Sequence, residues 1–172
     1  MYPERVAEYK RAINVDAAQC NACGECIPAC QQAIAYEHRK ADPFPRIWIQ
    51  RVGQKLQPLL CHNCEQAPCV SACMTGCRHR DGDFVTTDYD RCVGCSMCVM
   101  CCPFGVIQLV EEEKLAMKCD GCLEHETAPC VAACKPGALR HVGYLESAQI
   151  TRWDKAGEFA FSQVVLAGKG ER

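Results

Sequence analysis

The chain has 172 residues, a formal net charge of −2 and 18 cysteines. A near-neutral charge without a basic face argues against a nucleic-acid partner, and this cysteine content indicates a disulfide scaffold or a metal protein. The first 14 residues lack the apolar core of a secretory signal, and no stretch reaches the roughly 20 apolar residues that cross a bilayer. We therefore expect a cytoplasmic protein without direct membrane insertion, whose cysteines bind metal.

Short segments that alternate apolar and polar residues flank the cysteines. A polar arm (residues 1–11) precedes them. A cysteine-free extension (residues 143–172) follows them, with a helix beginning near Ser147 and aromatic residues that suit either an interface or a cover over the preceding domains. Strands are predicted at residues 12–16, 33–36, 46–52, 83–87 and 106–110.

Most of the cysteines, 16 of the 18, fall into four groups of four, here called runs 1 to 4. Run 3 has the spacing C-x2-C-x2-C-x3-C-P of bacterial ferredoxins. In such a run three thiolates in a tight loop bind three irons of one [4Fe-4S] cluster, and the fourth cysteine reaches a neighbouring cluster. The runs are run 1 (Cys20, Cys23, Cys26, Cys30), run 2 (Cys61, Cys64, Cys69, Cys73), run 3 (Cys92, Cys95, Cys98, Cys102) and run 4 (Cys119, Cys122, Cys130, Cys134).

Zinc is the alternative metal, because paired C-x2-C motifs also form zinc ribbons. A third cysteine in the same close loop serves an iron-sulfur cluster but not zinc, so the repeated pattern favours iron. We predict four [4Fe-4S] clusters, with the cysteines of the four runs as ligands. Cys77 and Cys101 are interpreted as small buried residues. His62 and His125 are not needed as ligands and are expected to be exposed or to hydrogen-bond near a cluster.

The segments that follow the runs repeat one small-residue turn, written Q-Q-A-I, M-T-G-C, P-F-G-V and K-P-G-A. Three of them carry a glycine at the same offset, where we predict a positive φ or a close approach of the backbone to a cluster. Four copies of a strand, loop, helical turn and strand predict an α+β fold with two ferredoxin-like domains. The glycines are Gly76, Gly105 and Gly137.

Two short basic clusters accompany the runs, at residues 39–40 and 78–80. We interpret both as solvated surface, as local counter-charges or as docking points for a partner. Neither is extensive enough to indicate a nucleic-acid interface.

The four runs together resemble the four-cluster ferredoxin subunits of the dimethyl sulfoxide reductase iron-sulfur family. The short chain is similar to the carbon monoxide dehydrogenase-associated ferredoxins and to the electron-transfer subunits of formate hydrogenlyase-type enzymes. The resemblance spans residues 20–137 and is specific for four [4Fe-4S] clusters, though not for a catalytic partner. Its motifs are C-N-A-C-G-E-C-I-P-A-C, C-H-N-C-E-Q-A-P-C-V-S-A-C, C-V-G-C-S-M-C-V-M-C-C-P-F-G and C-D-G-C-L-E-H-E-T-A-P-C-V-A-A-C.

The resemblance implies that run 1 shares its clusters with run 4, and run 2 with run 3. The implied fold is two pseudo-symmetric domains of two clusters each, the inner one (residues 53–110) inserted in the outer one (residues 1–52 and 111–142), with the clusters in a line. The implied ligand sets are Cys20, Cys23, Cys26 and Cys134; Cys119, Cys122, Cys130 and Cys30; Cys61, Cys64, Cys69 and Cys102; and Cys92, Cys95, Cys98 and Cys73.

The chain departs from this family after the last cysteine of three runs. Gln31, Met74 and Lys135 stand where proline is usual, and only Cys102 keeps its proline. Proline has no N–H, so we predict that these residues each gain a donor that reaches a cluster sulfur and raises its reduction potential.

The implied function is electron transfer, since no nucleotide loop, flavin fingerprint or acid-base group is present. The resemblance implies a subunit of anaerobic metabolism that links a catalytic oxidoreductase subunit to a second redox protein. The catalytic partner is expected to be a carbon monoxide dehydrogenase by preference, with a formate dehydrogenase or a hydrogenase next. The alternatives are a freely diffusing polyferredoxin and, more remotely, a zinc-stapled interaction scaffold.

Overall fold

The fold is taken from a computed structural model, in which residues 12–37, 44–82 and 84–143, with Glu146 and Gln149, are described. Contacts divide the chain into two units, residues 1–12 with 142–172 and residues 13–141. The second unit contains all four runs. Its helices are α1 (Cys26–Glu37), α2 (Pro68–Ser71), α3 (Met97–Cys101) and α4 (Pro129–Ala132). The strands are β1 (Ala12–Val15), β2 (Trp48–Val52), β3 (Lys55–Leu59), β4 (Arg78–Asp81), β5 (Phe84–Thr87), β6 (Gln108–Val110), β7 (Leu115–Met117) and β8 (Leu139–Val142).

The described strands form four separate two-stranded sheets. Three are antiparallel pairs of consecutive strands, β2 with β3, β4 with β5 and β6 with β7. The fourth pairs β1 with β8, which joins the segment before run 1 to the segment after run 4. The two ends of the cysteine-rich region therefore lie side by side.

Two groups of buried apolar residues surround the cysteines, and each group includes cysteines of two runs. The cysteines thus occupy core positions that aliphatic residues fill in ordinary domains of this size. Buried members of the first group are Ile34, Ile47, Leu60, Ala128 and Leu139 with Cys26, Cys30, Cys119 and Cys130, from runs 1 and 4. Buried members of the second are Ala67, Val85, Ile107 and Ala116 with Cys69 and Cys98, from runs 2 and 3.

The structure confirms four of the five predicted strands, with shorter bounds. These four predictions correspond to β1, β2, β5 and β6. The other four strands, β3, β4, β7 and β8, were not predicted. The structure therefore has mixed short helices and small strands, as expected for an α+β fold.

The strand predicted at residues 33–36 is wrong, because helix α1 continues through these residues to Glu37. Runs 2 to 4 end their helices near the fourth cysteine, whereas run 1 has Gln31 in place of proline and Ala33 in place of glycine. Glutamine and alanine are good helix formers. Nothing in this segment stops the helix, so it carries on for two more turns.

Several predictions concern segments outside the described residues: the polar arm, the basic pair at 39–40 and the helix near Ser147. The division into an outer and an inserted inner domain stays a prediction. None of the described helices is long and apolar enough to cross a membrane.

Candidate metal centres

Each run begins with a loop in which the residue before the second cysteine has a positive φ. The angle turns the chain sharply, so that the first and second cysteines face the same space. Two of the four residues are not glycines, and a positive φ is strained in a residue that has a side chain. The surrounding loop must therefore hold this conformation. The residues are Ala22 (φ 57°), Asn63 (φ 48°), Gly94 (φ 64°) and Gly121 (φ 86°).

Run 1 meets the last cysteine of run 4. The thiol of Cys26 lies close enough to Cys134, Cys23 and Cys20 to interact electrostatically with all three. Burial and these neighbours together raise its pKa to about 11. The backbone N–H of Leu139 donates to the Cys134 sulfur at 3.3 Å. These four sulfurs are the set that the resemblance implied for the first cluster.

Run 4 meets the last cysteine of run 1. Burial, then the proximity of Cys30 and Cys26, raises the pKa of Cys130 to about 12. Complete burial raises the pKa of Cys119 well above its ordinary value. The Cys30 sulfur accepts the backbone N–H of Arg46 at 3.3 Å. Thiols with such raised pKa values are protonated when free, so metal binding must displace their protons.

Run 2 and the last cysteine of run 3 line one small pocket. Its sulfurs come from Cys61, Cys64, Cys69 and Cys102. Most of the other lining side chains are apolar, although Cys61, Cys64 and Cys102 are only half-buried. The other lining residues are His62, Pro68, Val85, Pro103, Phe104, Val106 and Ile107.

Run 3 and the last cysteine of run 2 are linked through Arg78. Its backbone N–H donates to the Cys73 sulfur at 3.4 Å, and its Nη2 donates to the Cys98 sulfur at 3.7 Å. Burial raises the pKa of Cys73, but the backbone of Arg78 and the Thr75 and Cys77 side chains outweigh it and lower that pKa to about 7. The side chain of Cys95 is exposed at this end.

Three cations are buried among these cysteines: Arg46, Arg78 and Lys118 are 3%, 1% and 1% exposed. Arg46 pairs with Asp120, but among the described residues neither of the others has a carboxylate partner. The Nε atoms of Arg46 and Arg78 also have no hydrogen-bond partner there. Uncompensated buried cations are costly. A [4Fe-4S] cluster with four thiolates is anionic, so the residues present fit such a group.

The sequence interpretation of residues 78–80 as solvated surface is wrong for Arg78 and right for the exposed Arg80. Arg78 begins strand β4 and donates from Nη1 to Thr87 and from Nη2 to the Ala116 carbonyl. Arg78 and Arg80 are two residues apart, so alternation along a strand would place both on the same face and does not separate them. Arg46 and Lys118 carried no signal of burial either.

The cysteines and histidines outside the ligand sets behave largely as predicted. Cys77 is buried, with its sulfur 3.5 Å from that of Cys73, and Cys101 is half-buried. His62 is exposed and its ring lies 4.1 Å from that of Phe104, and His125 is exposed. Among the described residues, no three His, Cys, Asp or Glu side chains converge where one metal ion would fit.

The prediction about donors in place of proline is wrong for Lys135. Its N–H donates to the Ala133 carbonyl at 3.0 Å. Gln31 lies inside helix α1. For Cys73 and Cys134 the backbone donor lies five residues after the cysteine, at the first residue of strand β4 or β8. Cys30 and Cys61 receive theirs from Arg46 and Asn63.

Residues 52–144 match the family described as the 4Fe-4S dicluster domain. The chain is 38% identical over 133 residues to "Putative oxidoreductase UacF" of Escherichia coli, a match covering 74% of this chain and 20% of the relative. It thus spans about a fifth of that longer protein. It is 34% identical to the thiosulfate reductase electron transfer subunit PhsB of Salmonella typhi, covering 80% of this chain and 78% of PhsB. It is 32% identical to the electron transport protein HydN of Escherichia coli, covering 75% and 86%.

Proposed function

The chain belongs to the 4Fe-4S dicluster domain family, and on that premise we propose that it is an electron-transfer subunit with four [4Fe-4S] clusters. It passes single electrons between a catalytic oxidoreductase subunit and a second redox protein. The observation that carries the proposal is that cysteines of different runs lie near each other: Cys102 lines one pocket with Cys61, Cys64 and Cys69, and Cys26 is within electrostatic range of Cys134.

The proposed ligand sets join run 1 to run 4 and run 2 to run 3. The buried cysteines of the two core groups, from runs 1 and 4 in the first and from runs 2 and 3 in the second, support this assignment. It leads to two pseudo-symmetric ferredoxin-like domains, the inner one (residues 53–110) inserted in the outer one. The ligand sets are Cys20, Cys23, Cys26, Cys134; Cys119, Cys122, Cys130, Cys30; Cys61, Cys64, Cys69, Cys102; and Cys92, Cys95, Cys98, Cys73.

The clusters, once bound, supply one-electron redox chemistry that no side chain of this protein provides. The protein's own residues hold the thiolates at fixed positions, bury part of them among apolar side chains and direct N–H groups at sulfur. Hydrogen bonds and burial of this kind set the potential of an iron-sulfur centre. In this proposal the protein catalyses no reaction of its own.

The partner in this proposal is a catalytic oxidoreductase subunit. PhsB, the electron transfer subunit of a thiosulfate reductase, and the longer relative UacF, named as an oxidoreductase, support a stable association with such a catalyst. Carbon monoxide dehydrogenase, formate dehydrogenase and hydrogenase are the candidate classes that the resemblance implies. We propose a cytoplasmic location.

The test is the content of iron and acid-labile sulfide in protein purified without oxygen, with the EPR spectrum of the reduced form. Four clusters of four irons give about sixteen of each per chain and interacting [4Fe-4S] signals. Stoichiometric zinc with no EPR signal would contradict the proposal and leave the zinc scaffold. Co-purification with a catalytic subunit at a fixed ratio separates a bound subunit from a freely diffusing polyferredoxin.

A further inference from the structure

Strands β4 and β8 place two different residues at one equivalent position. Arg78 and Leu139 each lie five residues after the last cysteine of a run and begin the strand that follows it. Each donates its backbone N–H to that cysteine's sulfur, Arg78 to Cys73 at 3.4 Å and Leu139 to Cys134 at 3.3 Å. Both side chains are buried, at 1% and 3% exposure. The backbone contribution at the two sites is therefore the same.

The side chains differ in charge. Leu139 packs in the first apolar core. The Arg78 guanidinium reaches a second cysteine, Cys98, with Nη2 at 3.7 Å from its sulfur. Thr87 Oγ1 at 3.0 Å and the Ala116 carbonyl at 2.7 Å hold the group in place. Cys73 and Cys98 belong to one proposed ligand set, so both the backbone and the side chain of Arg78 act on one cluster.

A fixed cation favours the more negative, reduced state of a centre beside it, because burial leaves the interaction unscreened by water. An arginine stays charged at any working pH. We take the run 1 and run 3 ligand sets as the two ends of the electron path, because Cys23 and Cys95 are the exposed cysteines among the sixteen proposed ligands. Exposed cations near these ends, such as Arg91 and Arg140, are screened and contribute little. The other two buried cations lie beside cysteines of the run 4 ligand set: Arg46 donates its backbone N–H to Cys30 and pairs with Asp120, and Lys118 donates to the Cys119 carbonyl. The difference between the run 1 and run 3 sets therefore comes from residue 78 against residue 139.

We propose that Arg78 gives the electron path its direction, by holding the reduction potential at the run 3 end above that at the run 1 end. A reduced donor, either a catalytic subunit or a low-potential redox protein, gives one electron at the run 1 end. An oxidised redox protein takes that electron from the run 3 end, so each transfer is balanced. This inference rests on the proposed function, because it needs the clusters to be bound.

The experiment is an EPR-monitored redox titration of the holoprotein with Arg78→Met, which removes the charge at similar volume. Its matched control is Arg140→Met, which removes the same charge from an exposed site on strand β8. We expect Arg78→Met to lower the reduction equilibrium constant of one cluster at least tenfold, about 59 mV for one electron. Arg140→Met should leave every potential unchanged. Cys95→Ser and Cys23→Ser, each at an exposed cysteine, perturb the EPR signal of the run 3 and run 1 ends respectively and so assign the two signals.

Unchanged potentials in Arg78→Met with a full complement of iron would overturn the inference, as would an equal shift in Arg140→Met. If Arg78→Met does not assemble its clusters, Arg78→Gln decides the matter. Glutamine also removes the charge but keeps a hydrogen-bond donor at this buried position, so the same potential should again fall at least tenfold; an unchanged potential overturns the inference. Wild-type protein without iron overturns the proposed function itself, whereas iron-replete variants with unshifted potentials overturn only the role of Arg78.

Discussion

The two halves of the cysteine-rich region, runs 1 and 4 against runs 2 and 3, share one backbone arrangement and differ in the side chains and exits built on it. The positive-φ residue before the second cysteine recurs in all four loops. The N–H donated to the last cysteine recurs at Leu139 and Arg78. The exit of run 1, a helix of 12 residues, has no counterpart in the other runs. The repeat therefore conserves the metal-binding geometry, while charge and chain path distinguish the sites.

The largest effect tests whether runs exchange their last cysteines. Cys134→Ala and Cys20→Ala should each cost one cluster, about four irons. The double variant Cys20→Ala with Cys134→Ala should lose no more than either single one, because both residues hold the same cluster. Cys119→Ala with Cys134→Ala should lose about eight irons, since two clusters are affected. Iron and sulfide analysis measures all four proteins.

The opposite pattern, with one cluster lost by Cys119 and Cys134 together and two by Cys20 and Cys134, would mean that each run holds its own cluster. The same test applies to runs 2 and 3. The double variant Cys61→Ala with Cys102→Ala should lose one cluster, and Cys92→Ala with Cys102→Ala should lose two.

The next effect concerns the helical exit of run 1. Gln31→Pro places proline inside helix α1, where it removes a hydrogen bond and clashes with the preceding turn, at a cost of about 3 kcal/mol. Met74→Pro puts proline at the same offset in run 2, beyond the end of α2, and should cost less than about 1 kcal/mol. Urea-induced bleaching of the cluster absorbance under nitrogen compares the two. Equal losses of stability would show that the exits do not differ as described.

The smallest expected effect on stability distinguishes two roles of Asp120, in shaping the run 4 loop and in pairing with a buried arginine. Asp120 Oδ1 accepts the backbone N–H of Cys122 at 3.1 Å, and Asn21 Oδ1 accepts that of Cys23 at the same distance. Asp120 also pairs with the buried Arg46. Asp120→Asn should keep the loop, as Asn21 does, and lose the ion pair, with a destabilisation of about 2 kcal/mol.

The control for this prediction is Asn21→Asp, which adds a carboxylate without a buried arginine and should change stability by less than about 0.5 kcal/mol. Urea denaturation of the holoproteins measures both. An Asp120→Asn protein as stable as the wild type would show that Arg46 does not depend on this carboxylate.

The sequence predicted the features that depend on spacing and local conformation. The predicted positive φ holds at Gly76, Gly105 and Gly137 (63°, 61° and 73°), because a fixed turn there requires glycine. Strands β1 and β2 followed from alternation. The exit of run 1 was missed because the cysteine spacing suggested four equal units, while the helix-forming residues after Cys30 decided the local structure.

The buried cations could not be predicted from local pattern. Whether an arginine lies inside or outside depends on which partners tertiary structure brings to it. The Arg78 guanidinium donates to the carbonyl of Ala116, 38 positions away, and the Arg46 guanidinium donates to the carboxylate of Asp120, 74 positions away. A basic residue near cysteines is therefore ambiguous in sequence until the path of the chain is known.

The measurement that tests the central claim most directly is anomalous diffraction at the iron edge from crystals grown without oxygen. We expect four [4Fe-4S] clusters, each bound by the first three cysteines of one run and the last cysteine of its partner run. Cys134 should bind the cluster of run 1, and Cys30 the cluster of run 4. Fewer than four clusters, or a last cysteine bound to the cluster of its own run, would contradict the account.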